Sequence, residues 1–304
     1  MKGDETSVAK GFEEHRPLLF SIAYRMLGSA TDAEDVLQEA YLRWREASTG
    51  EIRSPQAYLS TVVTRLCIDH LRRLKARRED YTGPWLPEPI ATEADAAGDA
   101  ELAESLSMAM LVVLETLSPL ERAVFVLREA FGFPYAEIAG MVDRSEAAVR
   151  QLARRAREHV RARRPRFEAD PEARLRATER FLEAVAGGDL EALMEVLAPD
   201  VVLIADGGGK ARAPRRPLYG AGKVARFLRS ISTREKMALF LRSVSGEPAS
   251  GVEVGIAWIN GAPGVVATSG GRTVSAVVLD VSGGRIRTIH LVANPDKLAR
   301  VRGT

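Results

Sequence analysis

Residues 133–160 read "FPYAEIAGMVDRSEAAVRQLARRAREHV", and the turn inside this stretch decides how the rest of the chain is read. A short helical period ending near Met141, a tight turn at Val142 to Arg144 and a longer period opening on Ser145 as N-cap predict a helix-turn-helix. On the second helix Val149, Leu152, Ala153, Ala156 and Val160 share one face, which sends Arg150, Gln151, Arg154, Arg155 and Arg157 to the other. Between positions 144 and 166 nine arginines stand against two glutamates, a local balance of +7. Such a face is an electrostatic footprint for phosphate. Arginine pairs bidentately with guanine and glutamine with adenine in a major groove, whereas Arg161, Arg163 and Arg164 at the helix end suit backbone phosphates.

Working back towards the N-terminus, residues 11–80 carry helical periods almost throughout, broken at Gly28 and at Ser48-Thr49-Gly50. In "SPQAYLSTVVTRLCIDHLRRLKARRED" Ser54 is the expected cap and Pro55 the first-turn residue, and Arg65, Arg72, Arg73, Lys75, Arg77 and Arg78 crowd the later turns. The preceding helix, "TDAEDVLQEAYLRWREA", has the opposite character. A Thr31/Glu34 capping box is expected to open it, with Val36, Leu37, Ala40, Tyr41 and Trp44 inward and Asp32, Asp35, Gln38, Glu39 and Arg43 outward. That outward face suits a basic protein partner or simply solvent; the pattern alone leaves both open.

Between Tyr81 and Ser107 the composition changes to six acids, no Lys or Arg and three prolines in "GPWLPEP", which predicts an extended acidic linker over 81–107. Trp85 is a large apolar group in that segment and is expected to dock on a neighbouring surface. Beyond a second helical domain at 108–168, helical patterns at 172–188 and 190–198 give way to β-branched runs such as "VEVGIAWI", "TVSAVVLDV" and "RIRTIHLV". A multi-domain chain follows: two all-α domains at 1–80 and 108–168, then an α+β domain at 174–304.

At 304 residues the chain is long enough for several cores, and its net charge of +2 conceals the segregation just described. No apolar run approaches the roughly 20 residues of a membrane helix. The single Cys67, between Leu66 and Ile68, reads as a buried thiol with no partner for a disulfide or a metal. A cytoplasmic protein without metal or organic cofactor is expected.

These segments, in this order and spacing, closely resemble the two domains of bacterial extracytoplasmic-function sigma factors, over most of residues 11–168. The resemblance implies core RNA polymerase, through its β′ clamp helices and β subunit, and promoter DNA as partners. It makes Asp32, Asp35, Gln38, Glu39 and Arg43 polymerase contacts. It assigns minus-ten DNA to Arg65, Arg72, Arg73, Lys75 and Arg77, with the loop "ASTGEIRS" (47–54) holding a flipped base, and minus-35 DNA to Arg150, Gln151, Arg154, Arg155 and Arg157.

The remaining 130 or so residues look like a cone-shaped SnoaL-like domain, a shape shared with ketosteroid isomerases and polyketide cyclases. Asp206, beside Gly207, Gly208 and Gly209, is expected to lack the apolar walls that tune a catalytic acid, and His290 has no evident acid partner in the sequence. "DGGGK" also lacks the spacing of a P-loop. The chain resembles the sigma subgroup with a fused SnoaL-like domain, whose three motifs have counterparts in "WLPEP" (Trp85, Leu86, Pro87 onward), "DGGGK" (Asp206 to Lys210) and "NPDKL" (Asn294, Pro295, Asp296, Lys297 onward). The resemblance implies a built-in regulatory domain; the residues argue against an enzyme, and the acidic linker and the three motifs lead to the expectation that the domain packs on the first domain and the linker. The alternatives are a small-molecule sensor or an isomerase- or cyclase-type enzyme fused to a DNA-binding module.

Overall fold

The structure, a computed structural model, describes residues 9–47, 52–78, 81–93, 107–163, 170–231 and 252–301, with the side chains of 75–78 excepted. Two compact units emerge, one from residues 1–79 and 111–164, the other from 80–110 and 165–304.

The first unit is helical. Helices α1 (Arg16–Leu27), α2 (Ala30–Glu46) and α3 (Pro55–Arg78) pack on one another. Gly28 ends α1 with φ 67°, a left-handed C-cap that glycine adopts without a Cβ clash. The cap of α2 is Ser29, whose side chain accepts from Asp32 N, and not the expected Thr31; Glu34 instead reaches the Arg16 guanidinium at 2.5 Å. The helix starts two residues early because Ser29 is extended and can present its oxygen to the first turn. Ala33, Val36, Leu37, Ala40 and Trp44 are buried, and Tyr41 is only half-buried, edge-on to Phe12. Ser54 caps α3 as expected.

Helix α4 (Met108–Leu114) is followed by α5 (Pro119–Phe125), opened by a Ser118/Glu121 capping box, and a π-helical turn at Val126–Ala130. Helices α6 (Tyr135–Val142) and α7 (Glu146–Arg163) form the expected helix-turn-helix, with Asp143 at φ 54° in the turn. All five residues expected on the buried face of α7 are buried.

The second unit holds α8 (Pro171–Gly187), α9 (Leu190–Val196) and α10 (Ala221–Ile231) against a six-stranded sheet, ordered β2-β1-β6-β5-β4-β3. Its strands are β1 (Leu197–Asp206), β2 (Leu218–Tyr219), β3 (Val252–Ile259), β4 (Ala262–Ser269), β5 (Arg272–Ser282) and β6 (Arg285–Val292). β1 and β6 run parallel and every other pair is antiparallel. Val201, Leu203 and Ala205 of β1 join Leu279, Ile289, Leu291, Phe181 and Val224 in one core on the helix side. Strand alternation therefore turns Ile204 and Asp206 to the other face. The fold of this unit is the expected α+β arrangement.

Candidate functional site: a nucleic-acid interface and a buried linker latch

On α2 the side chains of Asp35, Gln38, Glu39 and Arg43 are exposed and Asp32 is half-buried, 3.3 Å from the His70 ring. Glu39 and Arg43 pair at 2.6 Å. Among these polar groups stands Leu42, 48% exposed, which the sequence reading passed over. An apolar residue on the outer face was the available signal: it adds contact area that a partner can desolvate.

The basic helix α3 meets the helix-turn-helix within the first unit. Arg65 Nε donates to the Met141 carbonyl oxygen and Nη2 to that of Gly140, each at 2.9 Å, filling acceptors that the end of α6 leaves open. The buried Arg122 of α5 donates to the Met26 carbonyl at the end of α1 and to Glu115, both at 2.7 Å, and burial pulls its guanidinium below the ordinary arginine range. Arg72 and Arg73 are exposed, Arg72 pairing with Asp69. The side chains of Lys75 and Arg77, and residues 48–51 of the 47–54 loop, lie outside the described residues.

On α7 Arg150 pairs with Glu146 and lies over the Tyr135 ring at 4.7 Å, Arg154 pairs with Glu158, and Gln151 is exposed. Arg155 leans to Glu121 at 3.3 Å and Arg157 to Glu129 at 3.6 Å and the Tyr135 hydroxyl. Gln151 and Arg154 thus face outward on the helix itself, while Arg150, Arg155 and Arg157 also contact other parts of their own domain.

In the second unit the three short motifs converge on Asp206. It is fully buried, contrary to the expectation that its glycine neighbours would leave it wet. Its Oδ1 accepts from the Tyr81 hydroxyl (2.6 Å) and Gly208 N (3.0 Å), and its Oδ2 from Leu86 N (2.9 Å) and Lys297 Nζ (2.7 Å). Lys297 also donates to the Leu86 carbonyl at 2.5 Å and lies 4.1 Å from the Trp85 ring centre. Asn294 donates to the Tyr81 hydroxyl and accepts from Asp296 N. Burial and the bond to Asp206 push the Tyr81 phenol above its ordinary 10.0. Gly208, at φ +58°, leaves room for Asn294, since a Cβ there would lie 2.3 Å from its Nδ2. Lys210 stays outside this cluster in an exposed pair with Asp296 at 2.5 Å.

From Leu86, which is buried with Pro87 and Glu88, the linker continues to the β3–β4 hairpin. Ala91 bridges Ile259, and Asn260 accepts from Ile90 N and donates to the Ile90 carbonyl. On the same face of the sheet, His290 Nε2 lies 2.9 Å from Asp280 Oδ2 with both side chains buried. His290 does have an acid partner; it comes from the neighbouring strand, through a register that includes a bulge at Asp280. The His290 Nδ1 is buried without a hydrogen-bond partner among the described residues. Cys67 is buried, and burial pushes its thiol up. Among the described residues no group of His, Cys, Asp and Glu is placed to hold a metal ion.

Residues 12–77 match the family model of sigma-70 region 2 and residues 107–160 that of sigma-70 region 4. The extracytoplasmic-function sigma factor SigJ of Mycobacterium tuberculosis is 41% identical over 94% of this chain and 91% of its own. This chain belongs to the extracytoplasmic-function sigma factors. A probable sigma factor of that type, SigI of the same species, is 32% identical over 97% of this chain and 96% of its own. The crystal structure of M. tuberculosis SigJ covers 95% of this sigma factor and 97% of that chain, with 38% identity and a TM-score of 0.73. The likeness of this sigma factor to SigJ therefore includes the sheet domain as well as the two sigma regions.

Proposed function

We propose that this sigma factor brings core RNA polymerase to its promoters through the outer face of α2, reads DNA with α3 and α7, and is restrained by its own sheet domain. Polymerase contact is assigned to Asp32, Asp35, Gln38, Glu39 and Arg43, with Leu42 among them; the β′ clamp helices and the β subunit are the expected surfaces. Minus-ten contacts are assigned to Arg65, Arg72, Arg73, Lys75 and Arg77, and minus-35 contacts to Arg150, Gln151 and Arg154, with Arg155 and Arg157 following once their intradomain pairs exchange for phosphate. This places the protein in the cytoplasm, and no described helix is long and apolar enough to cross a membrane.

The observation that carries the regulatory half is the Asp206–Lys297 pair closed over Leu86. It fastens one end of the chain segment joining the two sigma regions. The minus-ten and minus-35 elements are about 25 base pairs apart by name, about 85 Å along DNA. In the first unit, by contrast, Arg65 on α3 is bonded to the helix next to α7. Both readers must part to engage a promoter, and a linker latched along the sheet shortens the tether available for that motion. A non-enzymatic sheet domain is favoured because the two Asp206 oxygens are already occupied by four donors, one of them the Lys297 ammonium, and are closed to a substrate.

The test is transcription from fragmented genomic DNA by core polymerase with the full chain, sequencing the 5′ ends. Shared upstream elements that disappear with Arg150→Ala/Gln151→Ala support the reading, and Lys297→Met should raise transcript yield. Starts independent of the added protein refute the sigma assignment, and equal yield from Lys297→Met refutes the restraint.

A further inference from the structure

Next to the latch, but separate from it, a cavity of about 280 Å³ opens between the turn after β1 and the linker residues Thr82 and Gly83. Its lining includes Lys210, Arg212 and Arg215, and no carboxylate contributes to it. Residues 207–216 carry those three cations and Arg216, with no acid. Arg212 and Arg215 are exposed, and neither has an ion pair or hydrogen bond to another described residue. Lys210 alone has a partner, Asp296. Like charges gathered in a concave site repel one another and focus a positive potential, so the site is poised for an anion from outside the chain.

The walls are set before any ligand arrives. Lys210 N and Ala211 N both donate to the Gly207 carbonyl at 2.9 Å. A Cβ on Gly207 would lie 2.5 Å from the Ala211 carbonyl oxygen, and one on Gly209 3.2 Å from Thr82 Cβ. Bare backbone at both positions is what lets the loop close on itself and on the linker. Two guanidinium forks with no partner among the described residues and one ammonium match the oxygens of a phosphate better than a single carboxylate. The volume lies near the lower end for small-molecule sites, roughly 300 Å³, and its concavity disfavours a duplex backbone.

We propose that this cavity binds a phosphorylated small molecule, held by Arg212, Arg215 and Lys210. Thr82 and Gly83 form one wall and follow directly on Tyr81, whose hydroxyl is bonded to Asp206; a bound phosphate spans loop and linker and tightens the latch. Binding stands apart from the regulatory reading above; only its effect on transcription rests on that reading.

Inorganic pyrophosphate is the probe, titrated calorimetrically into the full chain at constant ionic strength set with sodium chloride. The expected results are saturable binding, at least tenfold weaker binding in Arg212→Ala/Arg215→Ala, and intermediate affinity in Arg212→Lys/Arg215→Lys, where charge persists without the fork. Thermal melting of each variant without pyrophosphate confirms that these exposed changes leave the fold intact. No saturable heat, or equal affinity in the Ala variant, overturns the site. A short DNA duplex that displaces pyrophosphate and loses the same tenfold in the variant overturns the small-molecule assignment in favour of a DNA backbone contact. Slower hydrogen exchange of residues 81–90 with pyrophosphate supports the clamp, and binding with unchanged exchange refutes it while leaving the site. Transcription that does not respond to pyrophosphate despite slowed exchange counts against the regulatory reading alone.

Discussion

Lys297 and Asp206 meet 2.7 Å apart with the aspartate fully shielded from water and the lysine nearly so, although 91 positions separate them in the chain. The same ammonium holds the Leu86 carbonyl, so the ion pair joins a strand end, a C-terminal turn and the linker at one atom. Removing one partner of a buried pair leaves an uncompensated charge, at a cost of about 3–5 kcal/mol. Lys297→Met is therefore expected to destabilise the second unit by that order in urea unfolding. Asp206→Asn/Lys297→Met should recover part of the loss, because no isolated charge remains. A loss in the double variant equal to the sum of the losses in Asp206→Asn and Lys297→Met alone would show that the pair is not coupled.

Tyr81 gives the latch a dependence on pH. Its phenol is raised above 10.0 by burial and by the bond to Asp206. Above pH 10.0 the released tyrosine ionises while the latched one keeps its proton. The latched state then binds more protons, and its stability falls as pH rises from there through the raised value. Linker exchange in residues 81–90 is expected to accelerate over that window in the native chain relative to Tyr81→Phe, which lacks the ionising group. Parallel profiles for the two proteins would rule out the phenol as the titrating group.

Gly208 is the position where a side chain is least tolerated. Left-handed backbone costs a β-branched residue about 1–2 kcal/mol, and here the Cβ also meets Asn294. Gly208→Val should displace Asn294 from the Tyr81 hydroxyl and free residues 81–86, while far-UV circular dichroism stays native because the core of Leu203, Leu279 and Ile289 lies on the other face. A variant with native linker protection would refute the contact's role.

The sequence revealed α3 and α7, because they repeat their apolar positions at helical spacing, and it revealed β6, whose run has the bounds observed. It did not reveal β4, where Pro263 and Gly264 read as breakers yet sit in a paired strand, or α10, which follows a segment rich in arginine and proline. The site was legible as three motifs but not as chemistry. Asp206 looked solvated because its sequence neighbours are glycines, whereas its burial comes with partners more than 80 positions away, Leu86 and Lys297. Lys210 is only four positions from Asp206 yet pairs with Asp296, and the counter-ion of Asp206 is Lys297. Asp280 and His290 pair through strand register, which local pattern does not encode.

Arg65 gives the last expectation, on the first unit. Its two bonds to Gly140 and Met141 join a region-2 helix to the helix-turn-helix through an exposed side chain, worth on the order of 1–2 kcal/mol together. Arg65→Ala should let the two helical regions separate without unfolding either, since each keeps its own buried residues. Spin labels on cysteines replacing Glu46 and Glu158, both exposed, report the separation; native Cys67 stays unlabelled because it is buried and its thiolate is disfavoured. The distance distribution is expected to lengthen and broaden in the variant, and capture by core polymerase to become faster, because the free chain starts closer to the parted geometry that promoter binding needs. An unchanged distribution would show that the Arg122 contact with Met26 is enough to hold the regions together.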